Sequence, residues 1–268
     1  MVEQKTQKVG LLAKPAKIIN VVSDYLTKQG YHVTRDTRLR GGSGIEHHFE
    51  LLVKLDDGFT NYVSAICVNT EREEPDQLRV LFDFANAAYD CRIRHKVAIV
   101  VPDIHRQTSL FAKKQDIRLI NPGILETSLA AASGHIISNA ELFTYRNKGQ
   151  LLEALTRRGY QFEEKGKLTG RSGTEYLYDI LAYADRGLTS ISLGIDIFNN
   201  QADLGLVSLF DTKSFDTGVD HKAVIATEGI SAEAKRFADY QNIRVITGDL
   251  VSPAEKMENA PGKSGAKT

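Results

Sequence analysis

The sequence predicts an α/β protein of two tandem domains, each a mixed central sheet flanked by helices in the order α-β-β-β-α-β-α-β. Three observations predict it. The chain has 268 residues, long for one compact domain and comfortable for two. It also repeats itself in register. Gly30-Tyr31 recurs as Gly159-Tyr160, Ser43-Gly44 as Ser172-Gly173, Glu46 as Glu175, and Glu50-Leu51-Leu52 as Asp179-Ile180-Leu181, all 129 positions apart. The spacing then becomes 126: Asp90 matches Asp216, His95-Lys96 matches His221-Lys222, Phe111-Ala112 matches Phe237-Ala238, and Ile117 to Ile120 matches Ile243 to Ile246. A three-residue deletion between Val68 and Asp90 accounts for the change, and matches held over about 100 positions read as an internal duplication. Finally, helical and strand patterns alternate in the same order in each copy.

The elements follow in turn. Ile18, Val21, Val22, Tyr25 and Leu26 form one apolar stripe of a helix that ends at Gly30. In the second copy Ser138-Asn139-Ala140-Glu141 has capping-box spacing, and Leu142, Leu151, Leu152 and Leu155 continue the helix with a break near Gly149. A first strand is expected at Tyr31 to Thr34 and Tyr160 to Glu163. A second is expected at Phe49 to Leu55 and Tyr178 to Tyr183, closed by the turn residues Asp57-Gly58 and Arg186-Gly187. Tyr62 to Val68 and Ile191 to Ile197 give a third strand, followed by helices at Gln77 to Ala88 and Ala202 to Asp211. The apolar runs Val97 to Val101 and Ala223 to Ala226 read as strands buried on both faces, as in a parallel pair. Helices at Thr108 to Lys114 and Ala232 to Tyr240 lead to last strands at Ile117 to Ile120 and Ile243 to Ile246.

These elements give an N-terminal segment 1–16, a first domain 17–127, a linker 128–138, a second domain 139–251, and a disordered tail 252–268 rich in Gly, Ala, Lys and Pro. An apolar fraction of 42% supplies two cores. Lys plus Arg and Asp plus Glu both number 34, which argues against coating nucleic acid through bulk charge and leaves local basic loops for phosphate. Cys67 and Cys91 are too few for a disulfide framework, and no zinc spacing is present. The polar, basic start from Met1 to Lys8 lacks the apolar stretch of a signal peptide, and no run approaches the roughly 20 apolar residues of a membrane span. A soluble cytoplasmic protein is expected.

The element order, with Gly-Ser-Gly ahead of an acidic residue on the second strand, resembles the Mrr-type restriction endonuclease domain of the PD-(D/E)xK superfamily. Residues 222–238, followed by Asn242-Ile243-Arg244-Val245-Ile246, are similar to that family's closing strand-helix-strand. The resemblance covers roughly 18 to 125 and 140 to 250. It implies two restriction-endonuclease-like domains and, for an active one, an acidic residue on the second strand and an acidic or Gln residue two positions before a Lys on the third. Two carboxylates then hold Mg²⁺ or Mn²⁺ against a phosphate oxygen, and the ammonium orients the attacking water.

The first copy offers Glu50, then Cys67 and Asn69; the second offers Asp179, then Asp196 and Phe198. Both lack the lysine. None lies between Asp56 and Arg94 or between Arg186 and Asp211, so a one-residue slip in alignment recovers nothing. Asp179 and Asp196 are the candidate metal pair, and Lys213 on the following helix is the candidate replacement, as in some members of the wider fold. Glu153 is a further carboxylate expected to face solvent. His47 and His48 are adjacent on a strand and point to opposite faces, so no joint metal site is expected. His95 and His221 read as packing residues, Asp90 and Asp216 as helix-end or turn caps, and Cys67 as a small buried hydrophobe. Arg38, Arg40, Lys167 and Arg171, placed in the loop before Ser-Gly, are the candidate phosphate contacts.

The leading expectation is a catalytically degenerate nuclease-like protein with no cofactor, binding DNA or a protein of DNA metabolism or transcription. One alternative is a metal-dependent Mrr-like (type IV) endonuclease with the second domain active. The other is a purely structural module in which the two copies form an internal pseudo-dimer.

Overall fold

The computed structural model describes residues 14–130 and 144–248. The capping box at 138–141, most of the segment 1–16, most of the linker and the tail lie outside the described residues. These residues divide into two compact units, one holding 14–130 with 157–161 and 183–192, the other 144–156, 162–182 and 193–248.

The first sheet runs in spatial order β1-β2-β3-β4-β5, from β1 (His32–Arg40), β2 (Glu46–Asp56), β3 (Asn61–Asn69), β4 (His95–Val100) and β5 (Ile117–Ile120). The β1-β2 and β2-β3 pairs are antiparallel; β3-β4 and β4-β5 are parallel. The change of direction follows from the connections. A four-residue turn joins β2 to β3, whereas α2 (Glu74–Asp90) and α3 (Arg106–Lys114) make the crossovers that parallel neighbours need. Helix α1 (Pro15–Lys28) precedes the sheet and turns Ile18, Val22 and Leu26 inward. Phe49, Leu52, Leu81, Ala88, Ala98 and Val100 are among the residues that pack α2 against the sheet. A further helix, α4 (Pro122–Ala130), follows β5, with Leu125 fully buried. The helix runs across the boundary at 127 expected between the first domain and the linker.

The second sheet has the order β12-β11-β10-β9-β6, from β6 (Gln161–Glu164), β9 (Ile180–Asp185), β10 (Ser190–Phe198), β11 (His221–Ala226) and β12 (Ile243–Thr247). Strands β10, β11 and β12 are parallel, joined through α6 (Leu204–Thr217) and α7 (Ala232–Tyr240). Helix α5 (Lys148–Arg157) begins beside the expected break at Gly149. The antiparallel pair β7 (Lys167–Thr169) and β8 (Glu175–Leu177) forms a separate two-stranded sheet. The core includes Tyr178, Leu181, Val207, Phe210, Val224 and Ala238.

Left-handed backbone recurs at the spacings seen in the sequence. Asp36 and Lys165 have φ of 51° and 53°, and Asp116 and Asn242 have 53° and 55°. Gly30 with Gly159, Gly44 with Gly173, Gly58 with Gly187, and Arg92 with Gly218 complete the series. L-residues rarely adopt this conformation, so the non-glycine pairs carry the most information.

One buried polar network belongs to the first unit. Asp57 is fully buried, and its Oδ1 accepts from the backbone of Phe59 and Thr60. Its Oδ2 accepts from the Tyr160 hydroxyl at 2.7 Å and lies 3.6 Å from the Arg186 guanidinium, whose side chain is 7% exposed. Arg186 also donates to the Arg158 carbonyl, and Arg158 donates to the Asp57 carbonyl. Tyr31 meets Thr189 at 2.6 Å while Tyr160 approaches Thr60 at 3.4 Å, a reciprocal exchange between positions 129 apart.

Candidate functional site

The expected second strand of the second copy is broken where its acidic residue sits. In the first copy β2 is continuous, and its pairing with β1 passes from Arg35↔Leu51 to Thr37↔Phe49 around left-handed Asp36 and facing Glu50. In the second copy β8 ends at Leu177 and β9 begins at Ile180, while β6 and β7 part at Lys165-Gly166. The two breaks face each other: Lys165 N–H donates to the Asp179 carbonyl and Tyr178 N–H to the Gly166 carbonyl, both at 2.9 Å. Interrupted ladders re-aim side chains. Here the break presents Asp179 to β10.

Asp179 and Asp196 lie together. Asp179 Oδ2 accepts from Ile197 N–H at 2.7 Å, and Asp196 Oδ1 accepts from Asp179 N–H at 3.3 Å. Lys213, on α6, reaches the same place: its Nζ is 2.5 Å from Asp196 Oδ2 and 2.9 Å from the Leu177 carbonyl. The ammonium sits 4.0 Å from the centre of the Tyr178 ring and 5.3 Å from that of Phe210, and its side chain is 11% exposed. Two aromatic faces and two oxygens therefore fix one cation. Tyr178 is seated on Gly194, where a Cβ would lie 2.5 Å from its ring, and its hydroxyl meets Thr217 at 2.7 Å. Burial pushes the Asp196 carboxyl above its ordinary range, and the Lys213 ammonium opposes that push. Lys165 forms an ion pair with Asp179 from the solvent side, and that hydrogen bond raises the lysine.

The matching region of the first copy has little of this. Glu50 accepts from Val68 N–H, as Asp179 does from Ile197, and burial raises its carboxyl. Cys67 stands opposite, packed in the core, with burial first and the Glu50 charge second holding its thiol well above 9. Asn69 fixes a loop, donating to the Gln77 carbonyl and accepting from Glu71 N–H. Ala87 occupies the position of Lys213 and is buried. Phe198 packs at the margin of the second core, and Glu153 is exposed on α5.

The structure corrects the placing of the basic residues. Arg38 and Arg40 lie on β1 and Lys167 on β7; Arg171 alone is in the turn before Ser172. Long strand hairpins carry the chain further than the apolar pattern indicated. Arg38 pairs with Glu46 at 3.6 Å and Lys167 with Glu175 at 2.7 Å, whereas Arg40 bonds the Gly44 carbonyl.

Asp90 and Asp216 act on these hairpins and not on the turns that follow their helices. Asp90 accepts from Ser43 N–H at 2.8 Å, from the Ser43 hydroxyl, and from His47 Nε2 at 2.7 Å. Asp216 does the same with Ser172. The Ser43 and His47 hydrogen bonds hold the Asp90 carboxyl down at about 2, and those of Ser172 lower Asp216. His48 turns the other way, to Asp36. His95 stacks on Tyr62 with ring centroids 4.5 Å apart, and His221 opens β11.

Sequence reasoning missed Lys165, Tyr178 and the aspartate clasps. The aspartates Asp90 and Asp216, matched at the 126-residue spacing, were the available signal; Lys165 has only Asp36 as counterpart, and its left-handed backbone leaves no mark in the sequence. Among the described residues no group of three or more His, Cys, Asp or Glu is arranged to hold a metal ion, and no helix is long and apolar enough to cross a membrane.

No family model matches the chain, and no curated protein matches it. Among solved structures it is similar to a protein of unknown function, AF1548, at 17% identity and a TM-score of 0.31, over 37% of this chain and 56% of that one. It is also similar to a repair endonuclease from Pyrococcus abyssi, at 14% identity and a TM-score of 0.28, over 40% of this chain and 49% of that one. The chain thus spans about half the length of each.

Proposed function

We propose that the chain is a tandem duplication of a restriction-endonuclease-like domain and acts on DNA through a metal-dependent phosphodiester-cleaving site in its second copy. The convergence of Asp179, Asp196 and Lys213 carries this reading. Lys213 comes from a helix, far from the strand position where the resemblance expects a lysine, yet its ammonium reaches the carboxylate pair. The recurring left-handed positions support the duplication.

The pair suits Mg²⁺ or Mn²⁺, because such hard cations are commonly held by one or two carboxylates and complete their shells with water and substrate phosphate. Asp179 and Asp196 would hold the ion, which when bound supplies charge neutralisation at the phosphate. Lys213, fixed by the Leu177 carbonyl and by two rings, orients the attacking water. Exposed Lys165 is released from Asp179 to meet a phosphate oxygen. The first copy, with Cys67 and Ala87 at the matching places, positions the nucleic acid and does not cut it.

A second reading has its own observation. All four carboxylate oxygens of the pair already have partners: Lys165 and Ile197 N–H on Asp179, Asp179 N–H and Lys213 on Asp196. Such a closed, neutral cluster suits a degenerate nuclease that binds DNA, or a protein of DNA metabolism or transcription, without cutting.

Incubation of the purified protein with end-labelled duplex, single-stranded and branched DNA in Mg²⁺ or Mn²⁺ separates the two. The first reading expects cleavage that Asp179→Ala abolishes and that Lys213→Ala slows by about 10²-fold or more. Absence of cleavage with either metal sinks it and leaves the second.

A further inference from the structure

Two exposed aromatic rings stand at matching places beside the hairpin clasps. Tyr89 is 86% exposed and Phe215 76% exposed, each immediately before the clasping aspartate. Among the described residues neither ring meets another ring or a cation. An isolated exposed aromatic is unremarkable. Recurrence sets this pair apart: Tyr240 is as exposed, but a lysine, Lys114, stands at its counterpart.

Each ring has basic neighbours within its own unit. In the first, Gly42 N–H bonds the Asp90 carbonyl, which brings the hairpin carrying Arg40 against the end of α2, and exposed Arg92 follows one turn later. In the second, Arg171 N–H bonds the Asp216 carbonyl at 3.0 Å. The Arg171 guanidinium lies 3.5 Å from where a Cβ on Gly218 would stand, three residues beyond Phe215. The acidic neighbours are occupied: Asp90 and Asp216 by the serines, Glu46 by Arg38 and Glu175 by Lys167. What remains in each unit is an exposed aromatic ring at a helix end, with an arginine on the hairpin or turn whose backbone bonds that same helix end. That combination binds a base and its phosphate, and stacking needs a base that is out of the duplex.

We propose that Tyr89 and Phe215 are stacking platforms for unpaired bases, so that the protein prefers single-stranded DNA, or the unpaired part of a branched substrate, to duplex. The inference rests on the nucleic-acid reading above and narrows its substrate class. Phe215 lies two residues past Lys213, on the outer side of α6. A base stacked on it belongs to a nucleotide removed from the one at Asp179 and Asp196.

The test is fluorescence anisotropy in EDTA, so that binding is read without cleavage, using a labelled 20-nucleotide strand and the same strand as duplex. The full chain should bind the single strand more tightly. Tyr89→Ala and Phe215→Ala should each weaken that binding roughly tenfold while leaving duplex binding unchanged, and Phe215→Tyr should restore it. Equal binding of both forms, unchanged affinity in both alanine variants, or no binding of the single strand would each overturn the proposal. A protein that binds the single strand as expected but cuts nothing in Mg²⁺ or Mn²⁺ would keep the platforms and lose the cleavage reading.

Discussion

Asp57 and Arg186 occupy matching turns 129 positions apart, yet one is an acid and the other a base. Both turns have the same backbone bond, Asp57 N–H to Thr60 and Arg186 N–H to Thr189, so the difference lies in the side chains alone. With Asp57 fully buried and Arg186 nearly so, removing either leaves an unpaired charge in a low-dielectric setting. Arg186→Ala is expected to cost about 3–5 kcal/mol, measured by urea denaturation. A loss under 1 kcal/mol would mean that water reaches Asp57. Burial, and next the Asp57 charge, hold the Tyr160 phenol well above 10, so this hydroxyl remains a donor. Asp90 makes a different kind of claim, because its carboxyl stays ionised down to about 2. A carboxyl depressed in the folded state contributes stability above its ordinary value of about 4, and loses it as pH falls through the folded value. Amide exchange at residues 41–44 should therefore be slower in the native protein than in Asp90→Asn above about pH 4, with the gap closing toward pH 2. A gap unchanged at pH 2 would contradict the clasp.

At the scale of elements, the hairpin clasp depends on absent side chains. A Cβ on Gly41 would fall 1.9 Å from Asp90 Oδ2, and one on Gly170 2.1 Å from Asp216 Oδ2. Gly41→Ala must therefore push the carboxylate off Ser43, and should lower the urea midpoint. Ser43→Ala, which removes one donor and adds no bulk, should cost less; equal losses would point to strain elsewhere. Much of this level was legible. Tyr240 ended its helix as periodicity indicated, and Ile117 to Ile120 formed the expected strand. The hairpins were not, because His32 to Arg40 alternates without an apolar face and stays in a strand by pairing with β2 alone. The breaks at Lys165 and Tyr178 escaped notice for a related reason. They come from left-handed backbone and from cross-strand bonds, and neither shows in a hydropathy pattern. Gly194, a glycine within an apolar strand, was the readable hint of close approach.

For the whole molecule, the element order and the two mixed sheets were legible because buried parallel strands such as Val97 to Val101 need continuous apolar runs. The pairing of Asp179 with Asp196 followed from placing them on adjacent strands. The position of Lys213 rested on the resemblance, and no spacing rule could have aimed its ammonium. The division into compact units was not legible, because the first unit incorporates 157–161 and 183–192. A fragment ending at residue 130 would lack Tyr160, Arg186 and Thr189. It is expected to melt well below the full chain and to bind a dye for exposed apolar surface. A fragment with full-chain stability would show these partners to be dispensable.

The distance along the chain between Asp57 and Arg186 also sets a clock during synthesis. Translation proceeds at about 5–20 residues per second, so the carboxylate waits roughly ten seconds for the guanidinium. In that interval β1, β2 and β3 can pair locally, but Asp57 must stay hydrated and Tyr31 has no Thr189 to meet. The first unit to begin folding on the ribosome thus cannot finish until residues 183–192 have been made, and a nascent chain paused near residue 150 should be open to protease around the Asp57 turn. One paused beyond residue 240 should be resistant there.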